Sequence, residues 1–153
     1  MIDGLERLQF PQTALRIEAA EGGWQVFDRI RKKMIWLTPE EWVRQHVVAY
    51  LIDQLNYPKA LFTVEKGLKY NARQKRTDIL VSDRNGNPYL LVECKAPEVK
   101  LSQKTVEQAC IYNKIKEAKY LVLTNGLQTI CLAYHADDKS YRQLQTIPAF
   151  DEE

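Results

Sequence analysis

Residues 76–95 read RTDILVSDRNGNPYLLVECK, two β-rich apolar runs on either side of Asn85-Gly86. Asn-Gly between such runs signals a tight β-hairpin, of type I′ when the loop has two residues. That hairpin constrains more of the chain than any other feature, because it fixes a register. With Asn85 and Gly86 as the turn, Arg84 pairs with Asn87, and stepping inward along both strands brings Asp78 opposite Glu93. Directly opposed residues hold their Cβ atoms about 5 Å apart, and Lys95, two residues beyond Glu93, shares the same face. A bulge or a longer loop would shift the register, and Pro88 predicts some irregularity near the turn.

Two carboxylates held so close repel. A hard divalent cation removes the conflict by taking oxygen ligands from both and keeping its other positions for water and phosphate oxygens. Such an ion activates water and offsets charge on a phosphate, and a neighbouring lysine can orient the nucleophile or stabilise that charge. The bland alternative is a polar sheet face with Lys95 as a cross-strand ion-pair partner. The runs DILV and LLVEC are apolar enough for inner strands, where charge costs more than at an edge, and this favours the chemical reading.

The rest of the chain frames this hairpin. Residues 1–37 are expected to form a small β element, ALRIEA and WQVFDRI around the turn Glu21-Gly22-Gly23, without recognisable chemistry. Thr38 as N-cap, Pro39 at N1 and Glu41 at N3 predict a helix to about Leu55, with Val43, Val47, Tyr50 and Leu51 on its apolar face and Asn56-Tyr57-Pro58 ending it. LFTVEKGLKY is a third strand candidate before the hairpin. A second helix is expected over about Ser102–Ala118, followed by YLVLT and TICLAY paired around Asn125-Gly126. The order is helix, three strands, helix, two strands: an α/β core over residues 38–135, with an N-terminal β arm (1–37) packed on it and a polar C-terminal tail (136–153), expected to be irregular at its end, all in one domain.

At this point the residues resemble a known family. RTDILVSDRNGNPYLLVECKAPEVKLS is similar to the nuclease motif of the PD-(D/E)xK superfamily, specifically the N-terminal nuclease domain of type I restriction enzyme R subunits. Asp78 and Glu93-Cys94-Lys95-Ala96-Pro97 carry the likeness. Gln108 and Tyr112 match its Q-x-x-x-Y helix motif, and TPEEWVRQ (38–45) its first-helix signature, so the resemblance spans about residues 38–134. It implies a restriction-endonuclease-like core, a mixed central sheet flanked by helices. It implies that Asp78 and Glu93 ligate Mg²⁺ or Mn²⁺ with the Cys94 carbonyl as third ligand, and that Lys95 is the catalytic lysine. Gln108 and Tyr112 would approach the site and the DNA backbone, and Glu41 would add a further acid. Each of these three also has a structural alternative: Gln108 as a capping-box residue for Thr105, Tyr112 as a core aromatic, Glu41 as the N3 cap. R subunits continue into an ATP-driven translocase, whereas these 153 residues hold no GxxxxGK[ST] phosphate loop, so no motor is expected in them.

The formal net charge is only +2, which makes no global case for a polyanion partner, but cations cluster. Lys69, Arg73, Lys75 and Arg76, then Lys100 and Lys104, are expected to bind nucleic-acid phosphates if the fold gathers them, against the alternative of a solvated face. Cys94, Cys110 and Cys131 have no CxxC spacing and do not meet the ligand count of an iron-sulfur cluster; reduced, buried thiols are expected. His46 and His135 are isolated and receive no role. With no apolar run of membrane length and no secretory pattern in MIDGLERLQF, a cytoplasmic location and no membrane partner are expected. The function expected is a metal-dependent endodeoxyribonuclease of a restriction system, with DNA and either other restriction subunits or a second copy as partners. Two alternatives accompany it: a catalytically silent DNA-binding module on the same fold, and an exonuclease or structure-specific relative.

Overall fold

The computed structural model describes residues 5–64 and 79–150. Within them, a three-stranded antiparallel sheet, β1 (Ile17–Ala20), β2 (Gly23–Asp28) and β3 (Lys33–Trp36), precedes helix α1 (Pro39–Asp53). Then follow β4 (Phe62–Val64), β5 (Ile79–Ser82), β6 (Pro88–Cys94), helix α2 (Gln103–Lys116), β7 (Tyr120–Thr124), β8 (Thr129–His135) and β9 (Ser140–Leu144). Strands β4 to β9 form one sheet in sequence order, antiparallel except for the parallel β6–β7 pair that α2 connects. The protein is thus α/β, with a mixed six-stranded sheet.

Helices cover both faces of this sheet. Val43, Val47, Val48 and Leu51 of α1 pack with Ile79, Val81, Leu90 and Val92 in the larger core, and Ala109 of α2 packs with Leu91, Leu121 and Leu123 in the smaller one. β6 is therefore apolar on both faces, as an inner strand with two covered sides must be. Thr38 caps α1 as expected, its Oγ accepting from the Glu41 N–H at 3.1 Å. α2 is capped by Ser102, and its C-terminal turn is held by the buried Asn113 side chain, which bonds both the N–H and the C=O of Ala118.

Three expectations are corrected. The turn of the β5–β6 hairpin is not a two-residue type I′ loop. The Asp83 carbonyl accepts from Gly86 N–H, and Asp83 N–H donates to the Asn87 carbonyl, with only Gly86 in the left-handed region (φ 86°). The Asp83 carboxylate locks this longer loop by accepting from the N–H groups of Asn85 and Asn87. The β5–β6 register then shifts between Val81 and Ser82, so that Ser82 pairs with Pro88 but Val81 with Leu90. The extra loop residue and the bulge offset each other, and the inner pairs Leu80↔Leu91 and Ile79↔Val92 stand where the two-residue turn would have put them. Second, the N-terminal element has a third strand, β3, hydrogen-bonded to β2. Third, the C-terminal segment holds a further strand: β9 pairs with β8, while residues 145–150 beyond it are irregular as expected, with Ile147 and Phe150 entering the larger core and Tyr57 Oη donating to the Pro148 carbonyl at 2.6 Å. The core therefore ends in three strands rather than two.

The N-terminal sheet is tied to α1 by charge. Arg44, fully buried, reaches Asp28 on β2 at 2.7 Å and Glu41 at 2.6 Å. Burial alone would raise the Asp28 pKa, but the Arg44 guanidinium and the N–H groups of Arg31 and Ile30 outweigh it and hold the carboxyl below its ordinary range. Arg44 is held charged by the same partners against the cost of its own burial. Breaking a buried ion network from one side strands the remaining charges. Arg44→Ala is thus expected to lower unfolding stability by about 3–5 kcal/mol, measured by urea denaturation. The uncharged triple replacement Asp28→Asn, Glu41→Gln, Arg44→Met is expected to lose less, since it leaves no uncompensated ion.

His46, also on α1, is buried against Trp42 with ring centroids 4.3 Å apart, and its Nδ1 is 2.8 Å from the Trp42 carbonyl. Burial depresses its pKa below 6.5 despite that hydrogen bond. The unfolded chain then binds the proton more tightly, so this contribution is complete above pH 6.5 and declines as pH falls below it. Urea midpoints are expected to drop between about pH 7.5 and 5.5, and His46→Leu is expected to flatten that slope.

Candidate active site

The carboxylate that sequence singled out lies on β6, the most enclosed strand of the sheet. Side chains alternate along it: Leu90, Val92 and Cys94 enter the core beneath α1, while Leu91 enters the core beneath α2. By that alternation Glu93 lies on the α2 side, at the C-terminal end of the strand, and it is only 8% exposed. A glutamate buried on a doubly covered inner strand is costly unless polar groups around it meet its oxygens.

Lys95 follows at the point where β6 leaves the sheet. Its N–H donates to the Thr124 carbonyl at 2.8 Å, extending the parallel ladder one step beyond the Cys94↔Thr124 pair. The connection to α2 is held from the same turn, since Asn125 Nδ2 donates to the Val99 carbonyl at 2.8 Å. Asn125 Oδ1 meanwhile accepts from the N–H groups of Leu127 and Gln128, and Thr124 Oγ accepts from Gly126 N–H. Gly126 (φ 86°) is needed here, for a Cβ at that position would come within 2.6 Å of Leu8. The backbone around Lys95 is therefore fixed by the β7–β8 turn, and that turn by the N-terminal segment, whose Gln9 N–H meets the Gly126 carbonyl.

The other expected residues are distributed as follows. Asp78 lies outside the described residues, as do Lys69, Arg73, Lys75 and Arg76. Its neighbour Ile79 pairs with Val92, the step adjacent to Glu93. The Cys94 side chain is buried in the α1-side core, so only its backbone is available to a hard cation. Gln108 and Tyr112 stand one turn apart on α2, the helix covering the Glu93 face. Tyr112 packs partly into the smaller core, and Gln108 is exposed. Gln108 is not a capping residue, because the cap is Ser102 bonded to Thr105 N–H. Lys100 and Lys104 are exposed just before and within the first turn of α2. Glu41 rises from α1, on the opposite layer, where Arg44 Nε and Nη2 engage its carboxylate.

Among the described residues no group of three His, Cys, Asp or Glu side chains could hold a metal ion. All three cysteines are free; Cys94 and Cys131 are buried, Cys110 is half-buried, and burial pushes the Cys131 thiol up to about 11. No helix among the described residues is long and apolar enough to cross a membrane. The structural clamp made by Asp28, Arg44 and Glu41 was missed by sequence reasoning. Its only sequence signal is an arginine among the apolar positions of α1.

The family model for the type I restriction enzyme R protein N terminus matches residues 39–148. The chain belongs to this family. Its matched span begins at the first residue of α1 and ends beyond β9, so it takes in the whole six-stranded sheet and both helices and leaves out the N-terminal sheet. Neither a curated protein nor a solved structure matches the chain. Membership supports a nuclease-related role, and Glu93, Lys95, Gln108 and Tyr112 all lie inside the family span.

The clamp on the β6–α2 connection gives a direct test. Asn125→Ala leaves the Val99 carbonyl and two N–H groups without their partner and is expected to cost about 1–3 kcal/mol. Hydrogen exchange should accelerate first at residues 95–100. Protection there equal to the parent's would show that the Asn125 side chain does not hold this connection.

Proposed function

We propose that this domain is a metal-dependent endonuclease that hydrolyses phosphodiester bonds in DNA, a restriction-endonuclease-like core of a type I restriction system, acting in the cytoplasm. The observation that carries the proposal is the buried Glu93 at the end of an inner strand, followed by a lysine whose backbone is fixed to the Thr124 carbonyl. The proposal requires Asp78 to stand across from Glu93, and the next pair along the ladder, Ile79↔Val92, has the numbering that this requires.

The donors are all oxygens: the carboxylates of Asp78 and Glu93 and the backbone carbonyl of Cys94. That set suits Mg²⁺ or Mn²⁺, whereas the Cys94 thiol, turned into the opposite core, would have favoured a softer ion. When bound, the cation supplies Lewis-acid activation and offsets negative charge on the scissile phosphate. Lys95 stabilises the charge that develops on the phosphoryl oxygens and orients the attacking water. Gln108 and Tyr112 contact the DNA backbone from α2. Lys69, Arg73, Lys75, Arg76, Lys100 and Lys104 bind phosphates, so affinity falls steeply with salt. Glu41, which Arg44 already engages, serves this reading as an anion that holds the first helix rather than as a metal ligand. Other restriction subunits are natural partners for a domain of this family.

The test is cleavage of supercoiled plasmid, linear duplex and single-stranded DNA in Mg²⁺, Mn²⁺ or EDTA. Metal-dependent cutting is expected, reduced by at least about 100-fold in Lys95→Ala with metal binding retained. Asp78→Ala and Glu93→Ala are expected to lose both cutting and metal binding. Equal cutting by the parent and Lys95→Ala would overturn the assignment. DNA binding without cutting under any condition would make the domain a silent or partner-dependent DNA-binding module. The distribution of nicks, linear product and end-degradation separates endonuclease from exonuclease or structure-specific action.

A further inference from the structure

The outer face of the N-terminal sheet is aromatic and bordered by cations. Register sets which residues share it: Glu18, Gln25 and Trp36 stand in one row across the three strands, and Phe27 pairs with Met34 in the next. Arg16 joins that second row, its carbonyl accepting from the Phe27 N–H. Val26 and Asp28, both fully buried, lie on the opposite face, from which Asp28 meets Arg44 of α1. None of Phe27, Met34 and Trp36 belongs to either core of the domain.

Trp36 is 52% exposed, and its indole reaches across to Gly23, where any Cβ would come within 3.1 Å of the six-membered ring. Glycine there lets the indole come to rest over the β2 backbone. Phe27 is the diagonal neighbour of Trp36, roughly 7 Å away across the β2–β3 pair. Over its ring, 5.7 Å from the centre, lies the Arg16 guanidinium, which Glu18 engages at 3.6 Å. Beyond the Phe27↔Met34 pair, Arg31, Lys32 and Lys33 are all exposed, Arg31 leaning on Asp28 at 3.5 Å. Glu21 stands at the other end of the sheet, in the β1–β2 turn.

We infer that this face is a stacking platform for single-stranded nucleic acid, one base lying on Trp36 and a neighbouring base on the Arg16 guanidinium, with backbone phosphates reaching Lys32 and Lys33. Unpaired bases offer π-faces to aromatic rings and guanidinium planes, and their phosphates call for cations beside those rings. A duplex hides its bases and would set phosphates over Trp36 and Met34. An apolar protein surface would have to desolvate the Arg16–Glu18 pair, which shares both rows with the rings. The sheet lies outside the family span, and the inference rests on no part of the nuclease proposal.

Titration of the full chain with labelled oligo-dT and oligo-rU of about 12 nucleotides tests it, in EDTA to withhold divalent cations. Anisotropy reports binding, and tryptophan fluorescence reports stacking. Single strands are expected to quench that fluorescence, and a duplex of equal length to leave it unchanged. Trp36→Ala is expected to weaken single-strand binding at least about fivefold, with an unchanged circular dichroism spectrum. Trp36→Phe is expected to bind and yet lose the quenching, which assigns it to this indole and not to Trp24 or Trp42. Lys32→Ala with Lys33→Ala is expected to lower the salt slope by about 1.4. Lys95→Ala is expected to bind as the parent does, so a failed nuclease reading leaves this one standing. Equal affinity for the two oligonucleotides assigns the platform to single strands of either sugar, and a preference names the sugar it takes. Equal binding by the parent and Trp36→Ala, quenching by the duplex as strong as by single strands, or no binding at all would overturn the platform and leave the face to a protein partner.

Discussion

Strand β6 is hydrogen-bonded on both edges and covered by a helix on each face, and the rest of the molecule is arranged around that enclosure. Its antiparallel partner β5 and its parallel partner β7 fix its register, while α1 and α2 decide which of its side chains lie in which core. In such a strand each residue has only two environments, and both are apolar. Glu93 departs from this rule at the one place where the enclosure opens, the C-terminal end, next to the residue where the chain leaves the sheet for α2. A carboxylate there is sheltered by the cover of both helices and yet stands beside the point where the chain leaves the sheet.

The same physics explains why the first helix carries a buried arginine. α1 must lie against the sheet with Val43, Val47 and Leu51, and it must also receive the N-terminal sheet on another side. An apolar contact would satisfy the packing without fixing the orientation. The Arg44 fork, reaching Asp28 on β2 and Glu41 on its own helix, fixes both, at the cost of desolvating three ions. Among the described residues the buried Nη1 of Arg44 finds no hydrogen-bond partner, which adds to that cost. Glu41 therefore answers a structural demand within α1, whatever else a residue in the first-helix signature does.

How far this could be seen in the sequence depends on the kind of signal. The start of α1 was legible because caps are local, Thr38 and Pro39 acting within one turn, whereas for α2 the span was legible but its cap was not, since the cap is Ser102 and not the Thr105–Gln108 box. The inner strands were legible because apolar runs of strand length are unambiguous between turn signals. The hairpin loop was not, because Asn85-Gly86 suits more than one turn type and the choice fell to Asp83, whose carboxylate closes the longer loop. β9 was illegible for a different reason. SYRQL is an edge strand with mostly exposed side chains, and its place is set by pairing with β8 rather than by its own hydrophobicity. Of the candidate site, Glu93, Lys95, Gln108 and Tyr112 stand out in the sequence as a spaced motif. The turn that holds Lys95 was not, since Thr124, Asn125 and Val99 meet only after the chain has folded.

The hairpin carries a further lesson about why a register can survive a change of loop. A strand whose two faces enter different cores cannot slip by one residue without exchanging every side chain between them. For β6 that exchange would drive Leu91 and Glu93 toward the α1 side and Val92 and Cys94 toward α2. The energetic penalty of such a slip falls on the whole strand, while that of a bulge falls on one peptide. The loop therefore adopts the conformation that Asp83 prefers, the mismatch is absorbed between Val81 and Ser82, and the inner pairs keep the register that both cores demand. On this argument the position of Glu93 is dictated by Leu90, Leu91 and Val92 more than by the turn, and a change of turn sequence that spares those residues leaves the site where it is.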